Sequence, residues 1–488
     1  MLAADVVVVG SGVAGCAAAL AAARRGAEVV LLSKAPDPAE TNTRHAQGGI
    51  VYTGPGDSPE ALVRDILAAG GGDRGAAELL AREGPLLVGR LLVEELGVPF
   101  DRGEGGGLDL ALEGAHSVPR ILHCADATGE ELQRALLRAV RAEPGVALLP
   151  GREALRLAVS GGRCAGVCVA AGGRAGVLAG RCVVLAAGGL AGLYARTTNP
   201  PGATGDGCAL ALEAGARVRD LHYVQFHPTA FAGPGGEAFL ISEAARGAGG
   251  VLRGPGGEEF IRHPAGSLAP RDVISHEICE MMARTGSPCA YLDMTHLPER
   301  LLRERFPGAY GRCLRAGVEM SREPVPVSPA AHYSCGGVAT DLRGRSSLPG
   351  LFAAGEVAST GLHGANRLAS TSLLEGLLFG WRAGEAAAEE ARRLPPARPP
   401  EAAADPPERA PGWAGEELGR ILWEHAGPVR TVPSLREGLR RLRELREEVG
   451  PSSLDGPLLV AETLVRQALS EGRSRGCHRL SDLEEVRS

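Results

Sequence analysis

Asp5-Val6-Val7-Val8-Val9-Gly10-Ser11-Gly12-Val13-Ala14-Gly15 stands near the start of the chain. An alanine-rich stretch ending at Gly26 separates it from Glu28-Val29-Val30-Leu31-Leu32-Ser33-Lys34. The apolar run Asp5–Val9 predicts a buried strand, and Glu28 to Leu32 predicts a second. Between them a helix is expected from about Val13 to Arg25. Gly10, Gly12 and Gly15 form a G-x-G-x-x-G turn. Alone that signal is weak, because the chain holds 70 glycines. The strand-turn-helix-strand setting makes it the fingerprint of a dinucleotide-binding unit. Gly10 permits the tight turn, Gly12 lets the backbone approach a pyrophosphate, and Gly15 lets helix pack on strand. The helix N-terminus then faces the negative phosphates. The acid that usually ends the second strand is missing, since Leu32-Ser33-Lys34 stands there. Either the ribose is held differently or the dinucleotide is not NAD.

The rest of the composition bounds the answer. The chain has 488 residues, a prior of about three domains. Apolar residues are 44% and charged residues 23%, an ordinary globular balance. The net charge of −6 argues against nucleic-acid binding, which favours a basic face. No apolar run is long enough for a membrane span. Lys34 is the only lysine, so arginine abundance reflects a compositional bias and arginine counts alone prove nothing. The N-terminal valines run straight into a glycine turn, which reads as a buried strand and not as a signal peptide. The eleven cysteines contain no C-x-x-C pair, as expected for reduced, buried thiols in a cytoplasmic protein.

Two later segments read as returning strands of the same sheet: Cys182–Gly189 and Leu351–Glu356, each a short apolar run closed by glycine or acid. The stretch between them is therefore expected to hold an inserted domain. The division read from the chain is 1–220 and 334–392 for the dinucleotide domain, 221–333 for the insertion, 393–412 for a Pro/Ala/Arg linker and 413–488 for a small helical domain.

Several polar clusters are candidates for chemistry. The loop Thr41–Ile50 carries hydrogen-bonding groups and a glycine pair suited to a flat cofactor. The insertion holds Gln225, His227, Ser242, Glu243, Arg246 and Arg271, and His332 and Tyr333 follow. Gln225, His227, Arg271, His332 and Arg367 make a donor set with no obvious acid partner. Such a set suits a dicarboxylate, because arginine binds carboxylate with two parallel bonds. The histidine spacings fit no zinc pattern, so no metal is assigned. Ser370 or Thr371 is expected to cap a helix beginning near Ser372.

Together these segments resemble the flavoprotein family of succinate dehydrogenase, fumarate reductase and L-aspartate oxidase. The resemblance rests on Gly10–Gly15, Gln47–Ile50, Thr204-Gly205-Asp206-Gly207, Gln225–Thr229, Pro270-Arg271-Asp272, His332-Tyr333 and Gly364–Glu375. It implies an α/β fold: a Rossmann-like FAD-binding domain, an inserted α+β capping domain and a C-terminal helical domain. In this family Ser-Lys commonly replaces the strand-ending acid, as at Ser33-Lys34, which favours FAD over NAD. The resemblance places Gly10, Ser11, Gly12, Ala14, Gly15, Ser33, Lys34, Asn42, Thr43, Ala46, Gln47, Gly48, Gly49, Gly188, Asp206, Glu356, Ser372 and Leu373 against the cofactor.

Three features look like the L-aspartate oxidase branch. The position of the FAD-attaching histidine in membrane-complex members, five residues before Gln47, is Asn42 here, so FAD is expected to be noncovalent. Glu113–Ser117, followed by Arg120–Gly129, is similar to that branch's signature, and Glu113 would supply an acid near a substrate amine. Trp423, Val429-Arg430 and Ser474–His478 resemble its C-terminal domain. By resemblance His332 and Arg367 bind one carboxylate. His227, Ser242 and Gln225 bind the other, with Ser370 nearby. Arg271 sits over the reacting carbons. The implied activity is oxidation of L-aspartate to iminoaspartate with O2, giving H2O2, or fumarate as acceptor. That is the first step of NAD synthesis by way of quinolinate, with coupling to quinolinate synthase. The alternative is the flavoprotein subunit of a fumarate reductase or succinate dehydrogenase.

Overall fold

A computed structural model describes residues 3–233, 238–395 and 406–481. Strand Ala3–Val9 lies inside a seven-stranded sheet, with Val6, Val7 and Val8 fully buried. It pairs in parallel with Val29–Ser33 on one side and with Arg174–Leu185 on the other. Val146–Pro150 extends the sheet beyond Val29–Ser33. Arg174–Leu185 serves two partnerships along its length. Its first half pairs antiparallel with Arg163–Ala171, and its last residues pair in parallel with Leu351–Ala353. Leu351–Ala353 thus returns to the same sheet after more than a hundred residues that follow Leu185.

Helix Val13–Arg24 packs lengthwise on helix Thr371–Ala391. The approach is close because of two glycines one turn apart. A Cβ on Gly380 would meet Ala14 O at 2.4 Å, and one on Gly384 would meet Ala18 O at 2.1 Å. The small faces of both helices therefore fix where the second begins, and that places residues 370–373 beside the glycine turn.

Between the returning strands a four-stranded antiparallel sheet has the order Val224–Phe231, Val325–Ser334, Ala290–Asp293, Val251–Arg253. Its own apolar cluster, including Phe231, Ile274, Leu292 and Val325, packs helix Arg271–Thr285 onto it. Entry to and exit from this unit are paired, as Val218-Arg219 bonds antiparallel to Gly337–Ala339. Helices Gly412–Ala426, Val432–Val449 and Asp455–Glu471 then pack on the other face of the main sheet.

The structure refines several sequence readings. The first helix ends at Arg24 and the second strand runs from Val29 to Ser33, because pairing with Val146–Pro150 carries it one residue further. The strand expected at Cys182–Gly189 is the end of one that starts at Arg174 and stops at Leu185. Leu351–Ala353 is the strand expected to Glu356, which instead lies in a 3₁₀ turn, Gly355–Val357. Of the expected linker, residues 396–405 lie outside the described residues, as do residues 482–488 of the expected helical domain.

Candidate active site

One cleft of about 620 Å³ runs from the glycine turn to the inserted sheet. The site candidates read from the sequence line it except Gly15, Gln225 and Arg246. Gly15 faces away, where a Cβ would meet Gly10 O at 1.7 Å. Its lack of a side chain is what lets the helix sit this close to the turn. Gln225 stands behind the arginines.

At one end the groups suit a dinucleotide. Gly10 has φ +110°, and a Cβ there would meet Ala186 O at 2.2 Å. The helix that starts at Val13 has no acidic residue in its first turn and no side-chain cap, which leaves its positive end open to an anion. Thr43 Oγ1 accepts from Val13 N at 3.0 Å and holds the loop Thr41–Ile50 against that end. Ser11 and Ser33 spend their hydroxyl protons on Pro38 O and Ala35 O, so toward the cleft their hydroxyls can act only as acceptors. Lys34 Nζ pairs with Asp206 Oδ2 at 2.7 Å, joining two candidates far apart in sequence. Gly188 has φ +77° and open space where a Cβ would stand. Gln47 Oε1 is buried with no hydrogen-bond partner. Glu356 is held by Ser334 N at 2.9 Å and Asn42 Nδ2 at 3.1 Å, and burial pushes its carboxyl up to about 7.

The other end collects the polar groups of the insertion. His227 and His332 meet edge to face with ring centroids 5.1 Å apart. Burial, then the nearby arginines, hold both imidazoles well below their ordinary range, so both are neutral. The Thr229 backbone N–H donates to His227 Nδ1 at 3.3 Å. A backbone N–H can only donate, so the His227 proton is on Nε2. That Nε2 is buried without a partner and is a ready donor for an anion. Thr198 Oγ1 bonds His332 Nδ1 at 2.8 Å, and Asn199 Nδ2 donates to His332 O at 2.8 Å.

The arginines are not without acid partners, contrary to the sequence reading. Arg271 Nε donates to Glu243 Oε2 at 2.5 Å, and Arg246 Nη2 lies 3.6 Å from the same oxygen. Burial pushes the Glu243 carboxyl up, but Arg271 and Arg246 outweigh it and hold it below its usual range. Helix Glu243–Gly247 puts Glu243 and Arg246 one turn apart, and the signal was that i, i+3 spacing. The partnership of Glu243 with Arg271, 28 residues on, has no local signature. Arg367 lies over the Tyr333 ring at 4.6 Å, and Tyr333 Oη donates to Glu375 Oε2 at 2.8 Å. Burial, then repulsion from Arg271, lowers Arg367 to about 10, so it stays charged at neutral pH.

Glu113 is the acid with a free role. It is buried in the cleft, and Ser370 Oγ donates to its Oε2 at 2.6 Å. Burial, then the negative Glu243, raises its carboxyl above the usual range; Ser370, Arg271 and Arg367 only partly offset this. The sequence offers Ser370 or Thr371 as the cap of a helix beginning near Ser372; the helix begins at Thr371 itself. Ser370 does occupy the position before Thr371, but with φ +54° and no capping bond, because its hydroxyl turns to Glu113 instead.

The comparisons with known proteins agree with this geometry. The FAD binding domain family matches residues 5–373. A curated L-aspartate oxidase of Halobacterium salinarum is 44% identical over 98% of this chain and 96% of its own length. The chain belongs to the L-aspartate oxidase family of FAD-binding flavoproteins. A second such relative, from Streptomyces coelicolor, is 43% identical over 98% of this chain and 88% of its own. Among solved structures, an E. coli quinol fumarate reductase chain matches with TM-score 0.90 at 30% identity, over 98% of this chain and 92% of that one. A chain of Mycobacterium smegmatis Sdh1 matches with TM-score 0.85 at 31% identity, over 98% and 89%. Among the described residues no helix is long and apolar enough to cross a membrane.

The residues present fit FAD. The glycine turn, the open helix end and the space at Gly188 make the cradle. The unpartnered Gln47 Oε1 and the acceptor Glu356 offer groups for the cofactor's donors.

Proposed function

We propose that this chain oxidises L-aspartate to iminoaspartate, the first step of NAD synthesis by way of quinolinate. The observation that carries the reading is a buried, easily protonated acid, Glu113, in the same cleft as the FAD cradle, with Arg271 and Arg367 lining that cleft and Arg246 buried behind it. Arg246, Arg271 and Arg367 bring three positive charges and Glu243 one negative. L-aspartate brings two carboxylates and one ammonium. An ionised Glu113 balances the ammonium, and a protonated Glu113 leaves the site matched to a simple dicarboxylate such as fumarate.

FAD, when bound, accepts the two electrons of the oxidation. The chain's own residues do the rest. His332 and Arg367 hold one carboxylate. His227 Nε2–H and Ser242 hold the other. Arg271, a guanidinium, acts as a fixed positive charge and donor over the substrate carbons. An ammonium must lose a proton before its carbon can be oxidised. Glu113 is the group placed to take it, and its raised carboxyl makes it a better base. Asn42, an amide, has no nucleophile to form a covalent bond with the cofactor, which supports noncovalent FAD. The domain division expected from the sequence, with the insertion covering the cleft, belongs to this reading.

O2, giving H2O2, or fumarate at the same site would reoxidise the cofactor. Iminoaspartate is short-lived in water, which favours coupling to quinolinate synthase. Eleven free thiols fit a reducing cytoplasm. The likeness to fumarate reductase favours, as second reading, the flavoprotein subunit of such a complex. Asn42 and Glu113 speak against it. The deciding experiment adds L-aspartate, then succinate, to the oxidised holoenzyme without oxygen. Bleaching of the visible flavin band by L-aspartate alone is expected. Bleaching by succinate alone would move the chain to the second reading.

A further inference from the structure

Gln225 makes four hydrogen bonds and spends none on the cleft. Its Oε1 accepts from Arg271 Nη1 at 3.2 Å and from Arg367 Nη2 at 3.1 Å. Its Nε2 donates to Asn366 Oδ1 at 2.7 Å and to Arg367 O at 2.8 Å. One neutral carbonyl therefore bridges two guanidinium groups that would otherwise repel. The opposite amide orientation would aim N–H groups at both cations. What selects the right one is a pair of acceptors on the nitrogen side, and the only side chain of the pair is Asn366.

Asn366 is itself fixed. Its Nδ2 donates to Asp272 Oδ1 at 3.0 Å and Ala69 O at 3.2 Å, and its Oδ1 also accepts from the Cys477 thiol at 3.3 Å. The Cys477 backbone N–H donates to Ala365 O at 2.9 Å. Four separate parts of the chain thus meet on one buried amide: the helix Pro59–Gly70, the helix carrying Arg271, the strand carrying Gln225, and the C-terminal segment. Asn366 does not line the cleft.

We propose that Asn366 is a positioning residue for substrate binding: it locks the Gln225 amide so that Arg271 and Arg367 are held at a fixed spacing for the two ends of a dicarboxylate. This rests on the reading of the cleft as a dicarboxylate site. Asn366 acts only through Gln225, so its removal and that of Gln225 must not add. Removing either residue breaks the same Gln225–Asn366 bond, so the double variant loses that shared part only once.

The test is fumarate binding to the oxidised holoenzyme, read from the perturbation of the flavin spectrum, because it needs no turnover. Asn366→Ala and Gln225→Ala are each expected to weaken fumarate about tenfold. The double variant is expected to stay within about twofold of Gln225→Ala alone. Losses that multiply, to about a hundredfold, would overturn the assignment while leaving the site reading intact. Wild-type protein that binds no fumarate would overturn the site reading and the assignment with it. Should Asn366→Ala fail to hold FAD, Asn366→Asp carries the test. It keeps the acceptor toward Gln225 and can share a proton with Asp272, so binding within about threefold of wild type is expected. A tenfold loss in that variant overturns the assignment.

Discussion

Ser370 Oγ donates to Glu113 Oε2 at 2.6 Å while accepting from the Gly49 backbone N–H at 3.3 Å. One hydroxyl thus joins the acid of the substrate end to the loop of the cofactor end. Ser370 holds this place at φ +54°, a left-handed conformation that costs a non-glycine residue on the order of 1 kcal/mol. Backbone strain is tolerated here because the hydroxyl is wanted here.

That relationship separates two variants. Ser370→Ala and Ser370→Gly both lose the hydroxyl and are expected to slow flavin reduction by L-aspartate about five- to tenfold at neutral pH. Only Ser370→Gly relieves the strain, so its melting temperature should lie above that of Ser370→Ala. Loss of the donor removes support from the ionised carboxylate. The rising limb of the pH–rate profile should therefore move to higher pH in both. Equal melting temperatures, or an unmoved limb, would contradict the assignment.

Glu113→Gln should divide the two ligands. The amide keeps the volume and loses the negative charge, so L-aspartate reduction is expected to fall roughly a hundredfold, the size of a buried charge pair broken on one side. Fumarate has no ammonium and should bind within about threefold of wild type. Parallel losses for both ligands would remove Glu113 from the amine-binding role.

Glu356 makes a prediction about stability. Burial raises its carboxyl from 4.5 to about 7, so the native state holds this proton more tightly than the unfolded chain does. The resulting stabilisation is full below 4.5 and is lost as pH rises through 7. FAD-free protein should lose on the order of 3 kcal/mol over that interval through this group. Glu356→Gln should flatten the dependence, as followed by urea unfolding at several pH values. An unchanged slope would show that the carboxyl is already ionised at the lower pH.

Much of this arrangement was legible in the sequence, for reasons that are local. Val6–Val9, the glycine turn and the helix after it follow from neighbours within a few positions. His227, Arg271, His332 and Arg367 stood out as polar groups that a core would not want. What could not be read is pairing over distance. Gln225 meets Asn366 across 141 positions and Ser370 meets Glu113 across 257. Gln225 therefore read as a ligand group, whereas its carbonyl bridges two arginines, and Ser370 read, with Thr371, as a candidate helix cap, whereas its hydroxyl serves an acid.

Arg430 ties the C-terminal helices to the insertion. It is almost fully buried and donates to Gly427 O at 3.0 Å, His222 O at 2.8 Å and His478 Nδ1 at 2.9 Å. No carboxylate accompanies it in those bonds, so neutral acceptors carry the charge. Arg430→Met should cost about 2–4 kcal/mol of stability, since three acceptors lose a charged donor. Proteolysis should then release the segment after Glu471 first. A variant as stable as wild type would mean that the buried charge costs as much as its bonds return.

His227 gives the last prediction. Its neutral form is set by burial and by arginines on several sides, and its proton sits on Nε2 because Thr229 N–H occupies Nδ1. Titration of His227 therefore is not expected to produce the rising limb of the pH–rate profile, and Glu113 is the group expected to produce it. His227→Gln retains an N–H donor at similar reach. It should weaken L-aspartate binding about tenfold while leaving the acid limb where it was. Glu113→Gln should abolish the limb. Measuring both profiles under anaerobic single-turnover conditions separates the two groups, and a limb that vanishes in His227→Gln but persists in Glu113→Gln would reverse the assignment of the proton acceptor.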